Sequence, residues 1–320
     1  KSIIYICPKG KNKPRGGIKI IYRHAEILSK LLIQKDKCKI FHFEDINYRC
    51  EWFPNKVNFK KNLSFDSEKE FAIIPEWMAV YHAKILQSQN TKYAIFVLNG
   101  FYIHKKPEKN FTENDIYNSY KKAEFIISCA DEITEGIILT FPEFEEKIIR
   151  VNISVDNKKY FFNDEIFEKK ENLITYMPRK LPFHSQKLLF LLKNRLPNNW
   201  KIKPLEKISD KVLYDNFRKS KIFLSFSFME GLGAPPIEAA KEGNKIIGYT
   251  GEGGNEYWKK PIFTKISNGD FSSFIKEILK FIKSKTSYLK FKNQRIKLLK
   301  KYSNKSEIKS LKILIKKIIK

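Results

Sequence analysis

The stretch Phe223-Leu-Ser-Phe-Ser-Phe-Met-Glu230-Gly-Leu-Gly-Ala-Pro-Pro-Ile-Glu238-Ala-Ala decides how the rest of the chain is read. The run from Lys221 to Phe226 is apolar enough for a strand buried on both faces, and it ends in a turn that two glycines loosen. Gly231 and Gly233 let the backbone approach a ligand closely, while Pro235 and Pro236 suit the first turn of a helix. A helix that begins there offers unpaired N–H groups and a positive dipole end to phosphate oxygens. Glu238, one turn inside, can accept hydrogen bonds from vicinal hydroxyls, and Glu230, ahead of the turn, can reach a different part of the same ligand. Carboxylates on opposite sides of a phosphate-type turn suit a nucleotide-linked sugar. A glycosidase would need its two carboxylates flanking one bond.

Outward from this stretch the chain alternates. The first half predicts strands over 2–7, 39–43, 71–74, 93–98, 125–129 and 148–155, with amphipathic segments between them, best seen in Ile18 to Leu32. A polar stretch from Asp156 to Asn172 separates the halves. The alternation then restarts with strand 173–176, helix 185–195, strand 200–203, helix 210–219, strand 221–226, helix 234–242 and strand 245–249. Such alternation predicts parallel sheets covered on both faces, with ligands at the carboxyl ends of strands. Segments 271–283, 286–301 and 304–319 read as helices, the last with Leu311, Ile313, Leu314, Ile315 and Ile318 partly at helical spacing.

At 320 residues the chain fits two domains, and 42% hydrophobic with 14% aromatic content provides ample core. No apolar run approaches the roughly 20 residues that span a bilayer, and the opening run is too short for a signal peptide. A cytoplasmic protein is expected, with possible peripheral attachment to the inner face of an anionic membrane. Cys7, Cys38, Cys50 and Cys129 lack paired metal spacing, the five histidines are dispersed, and no Asp-x-Asp is present. Neither a metal nor another cofactor is therefore expected.

The net charge of +27 invites a nucleic-acid reading, but only 8 of the 62 basic residues are Arg and no nucleic-acid signature accompanies them. From residue 271 onward, 16 basic residues face 2 Glu, so the last fifty residues carry +14. That excess matches solvated helix faces or attraction to anionic lipid headgroups.

The spacing of Glu230 and Glu238, with this filling, resembles the signature of retaining GT-B glycosyltransferases, family 4 in particular. The resemblance implies an α/β GT-B fold: two Rossmann-like domains facing across a cleft, with a C-terminal helix bracing the N-terminal domain. The corresponding domains are an acceptor domain over 1–156, a donor domain over 171–303 and a returning helix over 304–320. It implies that Glu238 holds the nucleotide ribose and Glu230 the donor sugar, with the amides of Gly231, Leu232, Gly233 and Ala234 on the diphosphate. Arg179, in Tyr176-Met-Pro-Arg-Lys180 at a strand end, is then a diphosphate clamp. The family's following lysine falls here on His184 or Ser185, which leaves Lys180 and Lys187 as candidates for the second cation.

Three more segments fit the same pattern. Gly16 and Gly17 close a basic loop at the start of the first helix and resemble the family's glycine-rich first loop, without the spacing of a dehydrogenase or phosphate-loop motif. Gly251-Glu-Gly-Gly254-Asn-Glu256 resembles the loop that covers the donor. Asn99 and His104, beyond a first-half strand, are candidates for contact with sugar or acceptor, and Glu76 has a similar claim. The function implied is transfer from a nucleotide-diphosphate sugar to a glycan or lipid-linked acceptor with retention, without a nucleic-acid partner. The alternatives are a non-catalytic basic protein that docks on nucleic acid or membrane, and a GT-B sugar-nucleotide epimerase.

Overall fold

Strand β1 (Ser2–Ile6) shows why the first half forms a parallel sheet: Ile3, Ile4, Tyr5 and Ile6 are all buried and leave no polar face for water. The computed structural model describes residues 1–10, 15–32, 37–104, 111–155, 169–284 and 289–319. Around β1 lie β2 (Cys38–Phe41), β3 (Asn58–Phe59), β4 (Glu70–Pro75), β5 (Tyr93–Val97), β6 (Phe125–Ser128) and β7 (Ile148–Arg150). They pair in the order β3-β2-β1-β4-β5-β6-β7, with parallel registers throughout. Helix α1 (Gly16–Leu31) buries Ile18, Ile21, Tyr22, Ala25 and Leu28, a stripe at the helical period. The sheet is further served by α2 (Ala79–Ser88), α3 (Glu113–Lys122) and α4 (Asp131–Thr140). Thr112 starts α3 through a capping box with Asp115.

The second sheet contains β8 (Glu171–Tyr176), β9 (Lys201–Pro204), β10 (Ser220–Glu230), β11 (Lys245–Glu252) and β12 (Phe263–Lys265), again all parallel, in the order β12-β11-β10-β8-β9. Its connecting helices are α5 (Pro182–Leu192), α6 (Asp210–Lys219), α7 (Ala234–Lys241) and α8 (Phe271–Lys283). Ile174, Leu188, Leu192, Leu224, Ile247 and Phe274 belong to its core. The strand order reverses between β8 and β10, so the loops that leave these two strands diverge and open a crevice at their carboxyl ends.

After α9 (Leu289–Lys301) the chain ends in α10 (Asn304–Ile319). The structure divides into two compact units: residues 1–153 with 305–320, and residues 154–304. Helix α10 is thus built into the first unit. Its Glu307, fully buried, accepts Arg23 Nε at 2.9 Å and lies 3.3 Å from His24 Nε2, while Ser310 Oγ accepts the Asn152 N–H at 3.0 Å. Leu311, Leu314 and Ile318 are buried.

Several element bounds differ from the sequence pattern. The strand read from the sequence over 148–155 is β7, which stops at Arg150, because from Asn152 onward the backbone pairs with Ser310 and then with the Tyr302 carbonyl instead of a neighbouring strand. Helix 185–195 is shifted to Pro182–Leu192, since Pro182 fits a first turn that has no use for its N–H. Strand β10 runs on to Glu230 through an irregular register after Ser227. Within the polar stretch 156–172, residues 156–168 lie outside the described residues, but Glu171 and Asn172 already belong to β8. Beside them the buried Lys170 donates to the carbonyls of Phe217, Arg218 and Ser220 at 2.8 to 2.9 Å, which closes the end of α6. Burial lowers that ammonium to about 7.

Two buried histidines make the first unit acid-sensitive. His42 donates Nδ1–H to the Cys7 carbonyl at 3.0 Å and accepts the Tyr22 hydroxyl at 2.7 Å, and His82 packs edge-on against Phe43. Burial holds both rings near 4. Each is neutral in the fold and takes up a proton near its ordinary value only after unfolding. Its contribution is therefore complete above about pH 6.5 and is lost as the pH falls toward 4. Glu76 works in the opposite sense, because burial raises its carboxyl to about 7 and the folded state binds that proton first. With two rings against one carboxyl, the thermal midpoint should fall from pH 7 to pH 5. His82→Leu should flatten that slope in melting curves. An unchanged slope would mean that the ring does not titrate on unfolding.

Candidate active site

At the carboxyl end of β8 the chain turns through Met177 to Lys180 before α5, and at the end of β10 it turns through Glu230 to Gly233 before α7. These are the two strands at the reversal of the second sheet. Lys180 Nζ lies 2.9 Å from Glu230 Oε1, so a cation and a carboxylate from the two loops meet across it, each still in part open to solvent. Arg179 is exposed on the same turn.

The turn before α7 is held by its own geometry. Gly233 adopts φ 73°, a region that L side chains avoid, and its carbonyl accepts the Tyr257 hydroxyl at 2.6 Å. Tyr257 is buried, which pushes its phenol well above its usual value and keeps it a donor. Met229 and Glu252 also carry positive φ, at 50° and 63°, so strained backbone collects at the ends of β10 and β11. Pro235 and Pro236 carry no N–H. The donors available at this helix entrance therefore come from Gly231, Leu232, Gly233 and Ala234, with Ile237 one turn in.

Glu238 projects from the middle of α7, where its Oε1 accepts the Tyr214 hydroxyl at 3.0 Å. That bond fixes the carboxylate from α6, a contact no local pattern announces. At the other end of α7, the buried Lys241 donates to the carbonyls of Val155 and Tyr302, and Arg295 bonds the Lys241 carbonyl. Thus the helix is fastened at its C-terminus and presents its N-terminus at the strand ends.

The loop after β11 folds against the same turn. Glu252 stands opposite Glu230 in the β10–β11 register, and its Oε2 is buried without a hydrogen-bonding partner. Gly253 is in such close contact with the β10 turn that an added Cβ would lie 1.8 Å from the Gly231 carbonyl oxygen. The Gly254 carbonyl receives the N–H groups of Tyr257 and Trp258, both at 3.0 Å. The Glu256 carboxylate is buried, pairs with Lys301 Nζ at 3.0 Å and accepts the Tyr302 hydroxyl, which ties this loop to the residues at the end of α9.

Lys187 does not join Lys180. It lies on α5 with its ammonium 4.7 Å from the ring centre of Phe271. His184 and Ser185, at the family's second-cation positions, are tied up locally: His184 Nδ1 is 3.0 Å from the Tyr249 hydroxyl, and Ser185 donates to the Pro182 carbonyl. In the first unit, Gly16 and Gly17 open α1, and a Cβ on Gly16 would meet nothing within 4 Å. Residues 11–14 of the loop before them lie outside the described residues. Glu76, buried at the end of β4, accepts the N–H groups of Leu98 and Asn99 at 3.1 Å, and Asn99 Oδ1 accepts Phe101 N–H at 3.0 Å. These bonds shape the turn after β5. His104 is exposed, 3.3 Å from Thr140 Oγ1.

No group of His, Cys, Asp and Glu side chains among the described residues could hold a metal ion. Nor is any described helix long and apolar enough to cross a membrane.

No protein-family model and no curated protein sequence matches the chain. Solved structures do. The apo form of the lipopolysaccharide outer core galactosyltransferase WaaB superposes with a TM-score of 0.71 over 98% of this chain and 99% of that one, at 14% identity. Anabaena Alr3699/HepE in complex with UDP-glucose gives a TM-score of 0.68 over 98% and 99%, at 10% identity. The catalytic domain of starch synthase IV from Arabidopsis thaliana, bound to ADP and acarbose, gives 0.63 over 99% and 98%, at 9% identity. The two parallel-sheet α/β units with their C-terminal helix thus have the GT-B glycosyltransferase fold.

Proposed function

We propose that the chain is a glycosyltransferase that takes its sugar from a nucleotide-diphosphate donor and passes it to a glycan or lipid-linked acceptor with retention. The observation that carries this reading is the meeting of Lys180 and Glu230 at the β8/β10 reversal, beside the α7 entrance, with Glu238 held one turn inside. It is supported by the fold, and by structural neighbours whose complexes contain UDP, UDP-glucose or ADP.

Transfer leaves positive charge on the anomeric carbon and negative charge on the departing diphosphate. In this reading Lys180, Arg179 and the amides of Gly231 to Ala234 take the diphosphate, a type of electrostatic stabilisation that is commonly the largest single contribution to catalysis. Glu238 binds the ribose hydroxyls and Glu230 orients the sugar. Same-face attack, in which the leaving phosphate oxygen takes the acceptor's proton, needs no separate protein base. Gly254 approaches the sugar, while Glu256 acts indirectly by fastening its loop to Lys301 and Tyr302. Gly16 and Gly17 serve the diphosphate, Asn99 and His104 the sugar or acceptor, and Lys187 is an outlying cation. No metal or other cofactor takes part in this scheme. The scheme places the reaction in the cytoplasm, with peripheral contact at the inner face of the membrane where the acceptor is lipid-linked.

A thermal-shift screen of nucleotide sugars tests the pocket. The true donor at saturating concentration should raise the midpoint of the wild type by several degrees. Glu238→Ala, measured against its own unliganded midpoint, should lose most of that rise. A full shift in the variant would remove Glu238 from the donor site. Sugar appearing on an acceptor, beyond release of nucleotide, separates a transferase from an epimerase.

A further inference from the structure

We infer that the outer face of α5 is a docking surface for an anionic lipid bilayer. Its Phe183 and Phe190 are 81% and 80% exposed, the most open large hydrophobic side chains among the described residues. They are seven positions apart, so they share one stripe, about 10 Å long at the helical rise. Leu188 and Leu192 on the opposite face are fully buried in the second unit's core, so the helix already has its packing partner and the two phenyl rings add nothing to it. Exposed Lys187 lies on the same stripe, with Lys193 just past its end.

The segment that carries α5 has one sign of charge, and of its cations Lys180 is paired with Glu230. From Met177 to Leu205 the chain has Arg179, Lys180, Lys187, Lys193, Arg195, Lys201 and Lys203, and no Asp or Glu. Beside Phe190 opens a groove of about 670 Å³, lined among others by Leu189, Lys193, Leu196 and Trp200. Aromatic side chains between lysines on one helix face are the pattern of an element lying in a membrane interface, where rings enter the acyl boundary and ammonium groups meet headgroup phosphates. A second copy of the chain fits this face poorly. A two-fold contact here would set lysines against lysines with no acid in the segment to answer them.

The basic tail is a weaker site for the same partner. Helix α10 turns Leu311, Leu314 and Ile318 inward and leaves Ile313 and Ile319 about half exposed, but these two are six positions apart and fall on different faces, so its charge is not accompanied by one apolar stripe. The inference goes beyond the proposed transfer reaction and stands or falls separately, since vesicle binding is read without a donor or acceptor.

Co-sedimentation of the full chain with vesicles tests it. Vesicles of phosphatidylcholine with about 30 mol% phosphatidylglycerol should pellet the wild type, pure phosphatidylcholine should not, and about 0.5 M salt should release most of it. Phe183→Ser with Phe190→Ser, and separately Lys193→Glu with Arg195→Glu, should each weaken binding by about tenfold or more with an unchanged melting midpoint. Brominated lipid should quench Trp200, and Trp200→Phe should remove that quenching. Equal binding by the phenylalanine variant, or no quenching at Trp200, would overturn the assignment and move any lipid contact elsewhere. Light scattering that shows a dimer dissolved by the same variant would assign the face to a second copy. Wild-type protein that pellets with neither vesicle would end the proposal.

Discussion

Glu230→Gln should lower the rate of the proposed glycosyl transfer by about 100-fold, equivalent to ~2.7 kcal/mol in the barrier, while the proposed donor still shifts the melting midpoint. The substitution keeps the shape and removes the charge. In the fold Glu230 is held 2.9 Å from Lys180, so the pair presents a placed negative and a placed positive group at the end of the β8/β10 reversal. If that arrangement answers charge that grows on the sugar and on the leaving diphosphate, its loss appears in turnover more than in binding. A variant within about fivefold of wild type would show that Glu230 touches nothing whose charge changes in the reaction.

Gly253→Ala should unfold the loops that follow β10 and β11 or cost about 3 kcal/mol or more. The added Cβ would lie 1.8 Å from the Gly231 oxygen, 2.4 Å from its carbonyl carbon and 2.6 Å from the Glu230 oxygen. All three are backbone atoms, so no side chain can swing aside. The β10 turn and the β11 loop must separate, and with them the Glu230 carboxylate and the Gly233 turn. Gly16→Ala is the control, because its Cβ meets nothing within 4 Å. That variant should melt at the wild-type temperature or slightly above, since alanine reduces the freedom of the unfolded chain. Equal midpoints for the two variants would mean that the contact at Gly253 relaxes without cost.

Much of this was legible locally. The Glu230-to-Glu238 segment announces its strand, turn and helix through apolar run, glycine and proline, and α6, α8 and α10 fall where their periodicity puts them. Strands β3 and β12 span two and three residues, too few to show a pattern. The partners of the site residues were not legible, because each comes from a distant element: Tyr214 to Glu238, Tyr257 to Gly233, Lys180 to Glu230. Glu256 illustrates the limit. Its position after Gly253 and Gly254 resembles a donor-loop glutamate, yet Lys301 and Tyr302 from the far end of α9 occupy its carboxylate. Glu252 had a signal, an acid directly before a glycine pair, but only the fold shows it beside Glu230.

The first unit needs residues 305–320 to be complete. During synthesis residues 1–153 must therefore wait, with the seat for Glu307 beside Arg23 and His24 unfilled, until residues 305–320 have left the ribosome. The second unit, whose residues run without interruption from 154 to 304, can close before the first one does.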